Sequence, residues 1–197
     1  LVVSTGALDQ TSNVSITGNF IGTNVDEDNT ANGRSGIWIL GNARGHGTVD
    51  AVNITGNTIA NNAVHGIEVW SATNVTLGGT RGESSENIIS NNAQYGIAFT
   101  DVVTNSFVHG NTLLGNTQAG LYLNSARGVT VGGGVDGKSS LDIHPEGSSC
   151  TVGPVSRSSP LKYRNTYPHT EFGGSATTWP ACWTVHALFF RVGQRQG

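Results

Sequence analysis

Short apolar alternations return along the first two thirds of the chain at intervals too long for a single strand or helix. Val14/Ile16, Val52/Ile54, Val75/Leu77, Ser106/Val108 and Val129/Val131 each stand a few residues before a glycine, and their first members lie 38, 23, 31 and 23 residues apart. Repetition at ~20–30 residues with strand-like alternation marks a solenoid, in which each unit buries its apolar side only against its neighbours. The longer intervals are then ordinary turns of the solenoid carrying loop insertions.

A second series falls midway through each unit: Gly36-Ile37-Trp38-Ile39, Gly66-Ile67-Glu68-Val69, Gly96-Ile97-Ala98-Phe99 and Gly120-Leu121-Tyr122-Leu123. Period-two alternation sends Ile37/Ile39, Ile67/Val69, Ile97/Phe99 and Leu121/Leu123 to one face and Trp38, Glu68, Ala98 and Tyr122 to the other. Between the two series lies a third strand signal, Phe20-Ile21, Thr58-Ile59, Ile88-Ile89 and Thr112-Leu113, preceded by Asn19, Asn57, Asn87 and Asn111. Three short strands per turn make three parallel sheets. Helical solenoids of similar period need apolar runs at 3.6 spacing, and the Gly, Asn and β-branched content is too high for stable helices. Asn tolerates left-handed backbone and its amide can bond the amide stacked one coil away, which accounts for Asn61-Asn62, Asn91-Asn92 and Asn116 at matching corners.

The pattern N-I-x-G-N-x-I-x-x-N-x-x-x-G-I-x-V, read from Asn53 through Val69, resembles the right-handed parallel β-helix repeat of the pectin-lyase-like superfamily. Gly18-Asn19-Phe20-Ile21-Gly22-Thr23 and Gly78-Gly79-Thr80, the latter followed by Asn87-Ile88-Ile89-Ser90-Asn91-Asn92, resemble repeats of large secreted bacterial β-helix proteins. The expected fold is therefore all-β: a right-handed single-stranded parallel β-helix of three short sheets with an irregular C-terminal tail. The resemblance speaks for the fold rather than an activity, because the same scaffold carries lyases, hydrolases, epimerases and non-catalytic surface proteins.

Composition breaks sharply near Gly132-Gly133-Gly134. All five prolines and both cysteines lie beyond residue 140, whereas Asn occurs 18 times before residue 134 and once after it. Residues 1–133 are read as about five β-helix coils with insertions. Residues 134–197 are read as a Pro/Ser/Cys-containing tail, either a cap on the open end of the solenoid or a continuation that is not native. Cys150 and Cys182 leave one disulfide open in an oxidising compartment, and their spacing does not read as zinc. The absence of methionine points to a piece of a longer polypeptide, with any targeting signal outside it.

Charged residues make up only 12% of the chain, 10 basic against 13 acidic, which leaves no electrostatic footprint for nucleic acid. No apolar stretch approaches the ~20 residues that cross a bilayer as a helix. Neither nucleic acid nor membrane insertion is expected, and the partner class that remains is a polysaccharide or glycan surface.

Three groups of residues carry candidate chemistry. Arg44-Gly45-His46-Gly47 resembles the G-H-G element of polygalacturonase-type glycosidases, but the N-T-D upstream and R-I-K downstream are missing. Asn24, Asp26 and Asp28 set oxygen ligands at alternate positions, as calcium loops do, without the glycine and closing Glu of such loops. Calcium is the one metal they suggest, and no other cofactor is expected. The third group is the outward column Trp38, Glu68, Ala98 and Tyr122, with His65 and Tyr95 just before their glycines and Asp101 after its strand. Aromatic rings on a flat sheet suit sugar stacking, and a carboxylate beside an imidazole can bond hydroxyls or move protons.

Two functions follow. The leading one is a non-catalytic carbohydrate-contacting or structural module of a secreted or cell-surface protein, with Trp38, Glu68, Tyr95 and Tyr122 meeting the glycan. The alternative is a polysaccharide hydrolase or lyase with His65, Glu68 and Asp101 handling protons. A lyase also wants a basic residue near the substrate carboxylate, for which only Arg44, Arg81 and Arg127 are at hand.

Overall fold

A computed structural model describes residues 1–4, 9–26, 28–41, 47–79 and 84–132, together with the backbone of three later strands, 141–143, 150–152 and 184–185. Every strand pairing is parallel, and the strands fall into three sheets that share one interior. The first sheet holds β1 (Val2–Ser4), β4 (Ile37–Leu40), β7 (Ile67–Trp70), β11 (Tyr95–Phe99), β15 (Ala119–Leu123) and β18 (Leu141–Ile143). The second runs through β2 (Gln10–Thr17), β5 (Thr48–Thr55), the pairs β8 (Ala72–Thr73) and β9 (Thr76–Leu77), β12 (Val103–Thr104) and β13 (Phe107–His109), β16 (Ala126–Arg127) and β17 (Val129–Gly132), then β19 (Cys150–Val152) and β20 (Thr184–Val185). The third is β3 (Phe20–Ile21), β6 (Thr58–Ala60), β10 (Ile88–Ser90) and β14 (Thr112–Leu114).

The register is the one the sequence implies. Ile37 pairs with Ile67, Ile67 with Ile97 and Ile97 with Leu121, and all four side chains are fully buried. Ile21, Ile59, Ile89 and Leu113 form the matching ladder of the third sheet. Ile16, Ile54, Leu77, Val108 and Val131 form that of the second. Burying each such side chain is worth about 1.5–3 kcal/mol. Ser106, the polar member of its series, is buried and fully used: its hydroxyl donates to the Thr104 carbonyl at 2.9 Å and accepts the Val75 N–H at 3.0 Å.

Two asparagine ladders hold the corners on either side of the third sheet. Asn19, Asn57, Asn87 and Asn111 pass side-chain bonds of 2.9–3.1 Å from each Nδ2 to the next Oδ1. Asn32, Asn62, Asn92 and Asn116 do the same at 2.8–2.9 Å. Asn61 and Asn91, just before the second ladder, take the left-handed backbone, with φ of 61° and 53°. The glycine at the start of β4, β7, β11 and β15 has a steric cause. A Cβ on Gly36 would lie 2.7 Å from Asn62 Nδ2, 2.8 Å from Ile59 Cγ2 and 2.9 Å from the Gly66 carbonyl, closer than real Cβ contacts permit.

Beyond the glycine run, Leu141–Ile143 pairs with β15 and Cys150–Val152 with β17, so the first two sheets each gain a further strand. Cys182 lies outside the described residues.

Candidate functional site

The outer face of the first sheet gathers the tryptophan and tyrosine side chains of the described residues. Gly36 and Ile37 both turn inward at the corner, as do their counterparts in the next coils, so outward positions recur three residues apart: Ser35 and Trp38, His65 and Glu68, Tyr95 and Ala98. Trp38, Glu68, Ala98 and Tyr122 stand in one register column. Three strand steps at ~4.8 Å put its ends about 14 Å apart. Trp70, two residues after Glu68, points outward with it.

Side chains from successive coils meet across this face. Tyr95 stacks on His65 with ring centroids 5.3 Å apart and on Tyr122 at 4.4 Å. Trp38 and Trp70 meet edge to face at 5.8 Å, and the Arg34 guanidinium lies 4.6 Å from the Trp38 ring centroid. All four of these tryptophan and tyrosine side chains are half-buried. Ala98 is buried among them.

Glu68 lies at the centre of the column and is only 6% exposed. One carboxylate oxygen accepts the Ser35 hydroxyl at 2.6 Å and the other accepts Trp70 Nε1–H at 2.8 Å. The carboxylate thus ties its own coil to the preceding one. His65 is equally buried, and its Nδ1 accepts the Tyr95 N–H at 3.3 Å. Burial holds its pKa below the ordinary histidine value, while the nearby Glu68 charge pulls the other way. The imidazole is therefore neutral at pH 7, with its proton on Nε2. Trp38 Nε1 is buried and finds no acceptor among the described residues, a cost on the order of 1–3 kcal/mol.

The structure brings His65 and Glu68 together and sets Asp101 apart. Thr100 N–H donates to the Val69 carbonyl, extending the pairing of β11 with β7 by one residue, and Asp101 follows at the bend. It lies three residues past Ala98, roughly 10 Å along the strand direction. Its Oδ1 accepts the Val102 N–H at 2.8 Å. In the insertion after β3, Asn24 Oδ1 accepts the N–H groups of Asp26 and Asp28, and Asn24 Nδ2 donates to Asp28. Asn24 thus holds the turn of this loop through its side-chain amide. Among the described residues no cluster of three His, Cys, Asp or Glu side chains could hold a metal. Glu27, Arg44, His46 and Arg81 lie outside the described residues.

Sequence reasoning missed Trp70, Ser35 and Arg34. Trp70 carries the outward parity of Glu68 two residues earlier, and Ser35 occupies the pre-glycine position of His65 and Tyr95, so both were within reach of the pattern.

A family model described as "Right handed beta helix region" matches residues 7–135. The chain belongs to the right-handed β-helix family. No curated protein and no solved structure was found to match it. Like other right-handed β-helix chains, it wraps parallel strands so that one side chain per strand and coil repeats at a fixed step, and an outward column is a row at strand spacing.

Proposed function

We propose that this β-helix is a non-catalytic carbohydrate-contacting module of a secreted or cell-surface protein, and that the glycan lies along the outer face of its first sheet. The observation that carries this reading is two aromatic pairs on that face, Trp38 with Trp70 and Tyr95 with Tyr122, half-buried and supplied by four successive coils. A band about 14 Å long at strand spacing suits a run of a few sugar units. Glu68 and His65 support the rings. The carboxylate accepts from Ser35 and Trp70, and the imidazole stacks on Tyr95, so both are committed to orientation rather than poised for proton transfer.

The test is incubation with a panel of pectins, alginates and neutral glycans, following binding, new reducing ends and ultraviolet absorbance together. Binding without turnover is expected. Robust release of reducing ends or of unsaturated products would establish the polysaccharide-active enzyme instead, and no binding to any glycan would leave a structural module.

A further inference from the structure

Arg34 is exposed, and its guanidinium sits over the Trp38 indole. Among the described residues it has no carboxylate partner, so the ring is its one close electrostatic neighbour. A cation over an indole face occupies the surface on which a sugar ring would stack. The Trp38 Nε1–H, meanwhile, is buried with no acceptor among the described residues. A polyhydroxylated ring brings both things this end of the band lacks: a flat apolar face to replace the guanidinium and an oxygen to accept from Nε1.

Resting on the glycan reading above, we propose that Arg34 is a self-occupying gate at the Trp38 end of the band. In the free protein its guanidinium takes the stacking face of Trp38, and an uncharged sugar ring binds there only by displacing it. Arg34 is then the residue that sets how weakly this subsite takes neutral glycans.

The experiment compares the parent chain, R34A, W38F and the double variant R34A/W38F. Each is titrated calorimetrically with neutral hexasaccharides: cellohexaose, xylohexaose and mannohexaose. Solvent exchange of the Trp38 indole N–H is followed by NMR in the parent and R34A. R34A should exchange faster and bind at least one hexasaccharide roughly two- to fivefold more tightly, which converts to the about 0.5–1 kcal/mol of an exposed cation–π contact. The gain should vanish in the W38F background. Equal or weaker binding by R34A would overturn the gate, because Arg34 would then be a bystander or a ligand contact. Unchanged indole exchange would overturn it too, whatever binds. If exchange rises but no hexasaccharide binds either chain, the glycan reading fails, and the gate fails with it for want of a ligand.

Discussion

Tyr95 and Tyr122 stack with their planes 10° from parallel, and each faces an alanine across the sheet: Tyr95 pairs with Ala119, and Tyr122 with Ala98. The reciprocal exchange of large for small side chains lets two rings three positions out of register lean together over Ala98. A double-mutant cycle of Tyr95→Ala and Tyr122→Ala, read by urea unfolding, should give a coupling of about 0.5–1.5 kcal/mol. Additive losses would mean that the rings merely lie near each other.

The buried ladder of the first sheet predicts a larger effect. Ile67 is fully buried between Ile37 and Ile97, so Ile67→Ala should cost about 2–5 kcal/mol. Ile67→Asp should unfold the region, since its carboxylate would have no partner in an apolar core. Circular dichroism melts check both, and a wild-type melt for Ile67→Asp would mean the register is wrong.

The asparagine ladders should be steeply position-dependent. Asn92 Oδ1 accepts from both the backbone N–H and the side chain of Asn62, at 3.0 and 2.9 Å, in a fully buried site. Asn92→Ala strands those donors and should cost more than the ~1–3 kcal/mol of one unsatisfied group. Asn19, exposed at the start of its ladder, donates its Nδ2 to Asn57 and to the Thr17 carbonyl and has no donor from the ladder resting on it, so Asn19→Ala should cost about 1 kcal/mol or less. Equal losses in urea melts would contradict the ladder account.

His65 makes stability depend on acidity. Its pKa is lowered by burial, and its Nδ1 accepts the Tyr95 N–H, so the folded state favours the neutral ring. The contribution is whole above the ordinary histidine value of about 6.5 and is lost as the pH falls through the lower folded value. Thermal melts of the parent and His65→Gln should differ most above pH 6.5 and converge on acidification. A gap that does not change with pH would rule out this titration.

The repeat made the fold legible because every coil obeys one steric rule. Inward Ile, Val and Leu alternate with outward residues, a glycine stands where Gly36 leaves no room for a Cβ, and an Asn stands at each corner. The ladder Ile37, Ile67, Ile97 and Leu121 follows from that rule alone. The site was legible in part. Parity placed Trp38, Glu68 and Tyr122 in one column, but not the lean of Tyr95 across to Tyr122 or Arg34 over Trp38. Those contacts depend on rotamers and on small neighbours such as Ala98 and Ala119, which a period-two pattern does not encode. Asp101 falls in with His65 and Glu68 in the sequence because it follows the strand that carries Ala98, whereas the bend after β11 carries it along the axis of the strand and away from them.

The most direct test of the glycan-band account is calorimetric titration of a glycan positive on an array against Trp38→Ala, Tyr122→Ala and Phe107→Ala, each first shown to be folded by circular dichroism. Phe107 is an exposed aromatic on the second sheet, 49% exposed, and serves as the control. Trp38→Ala and Tyr122→Ala should each weaken binding by about 1 kcal/mol or more, and Phe107→Ala should bind like the parent. Parent-like affinity in the first two variants, or an equal loss in the third, would contradict the assignment of the glycan to the first sheet.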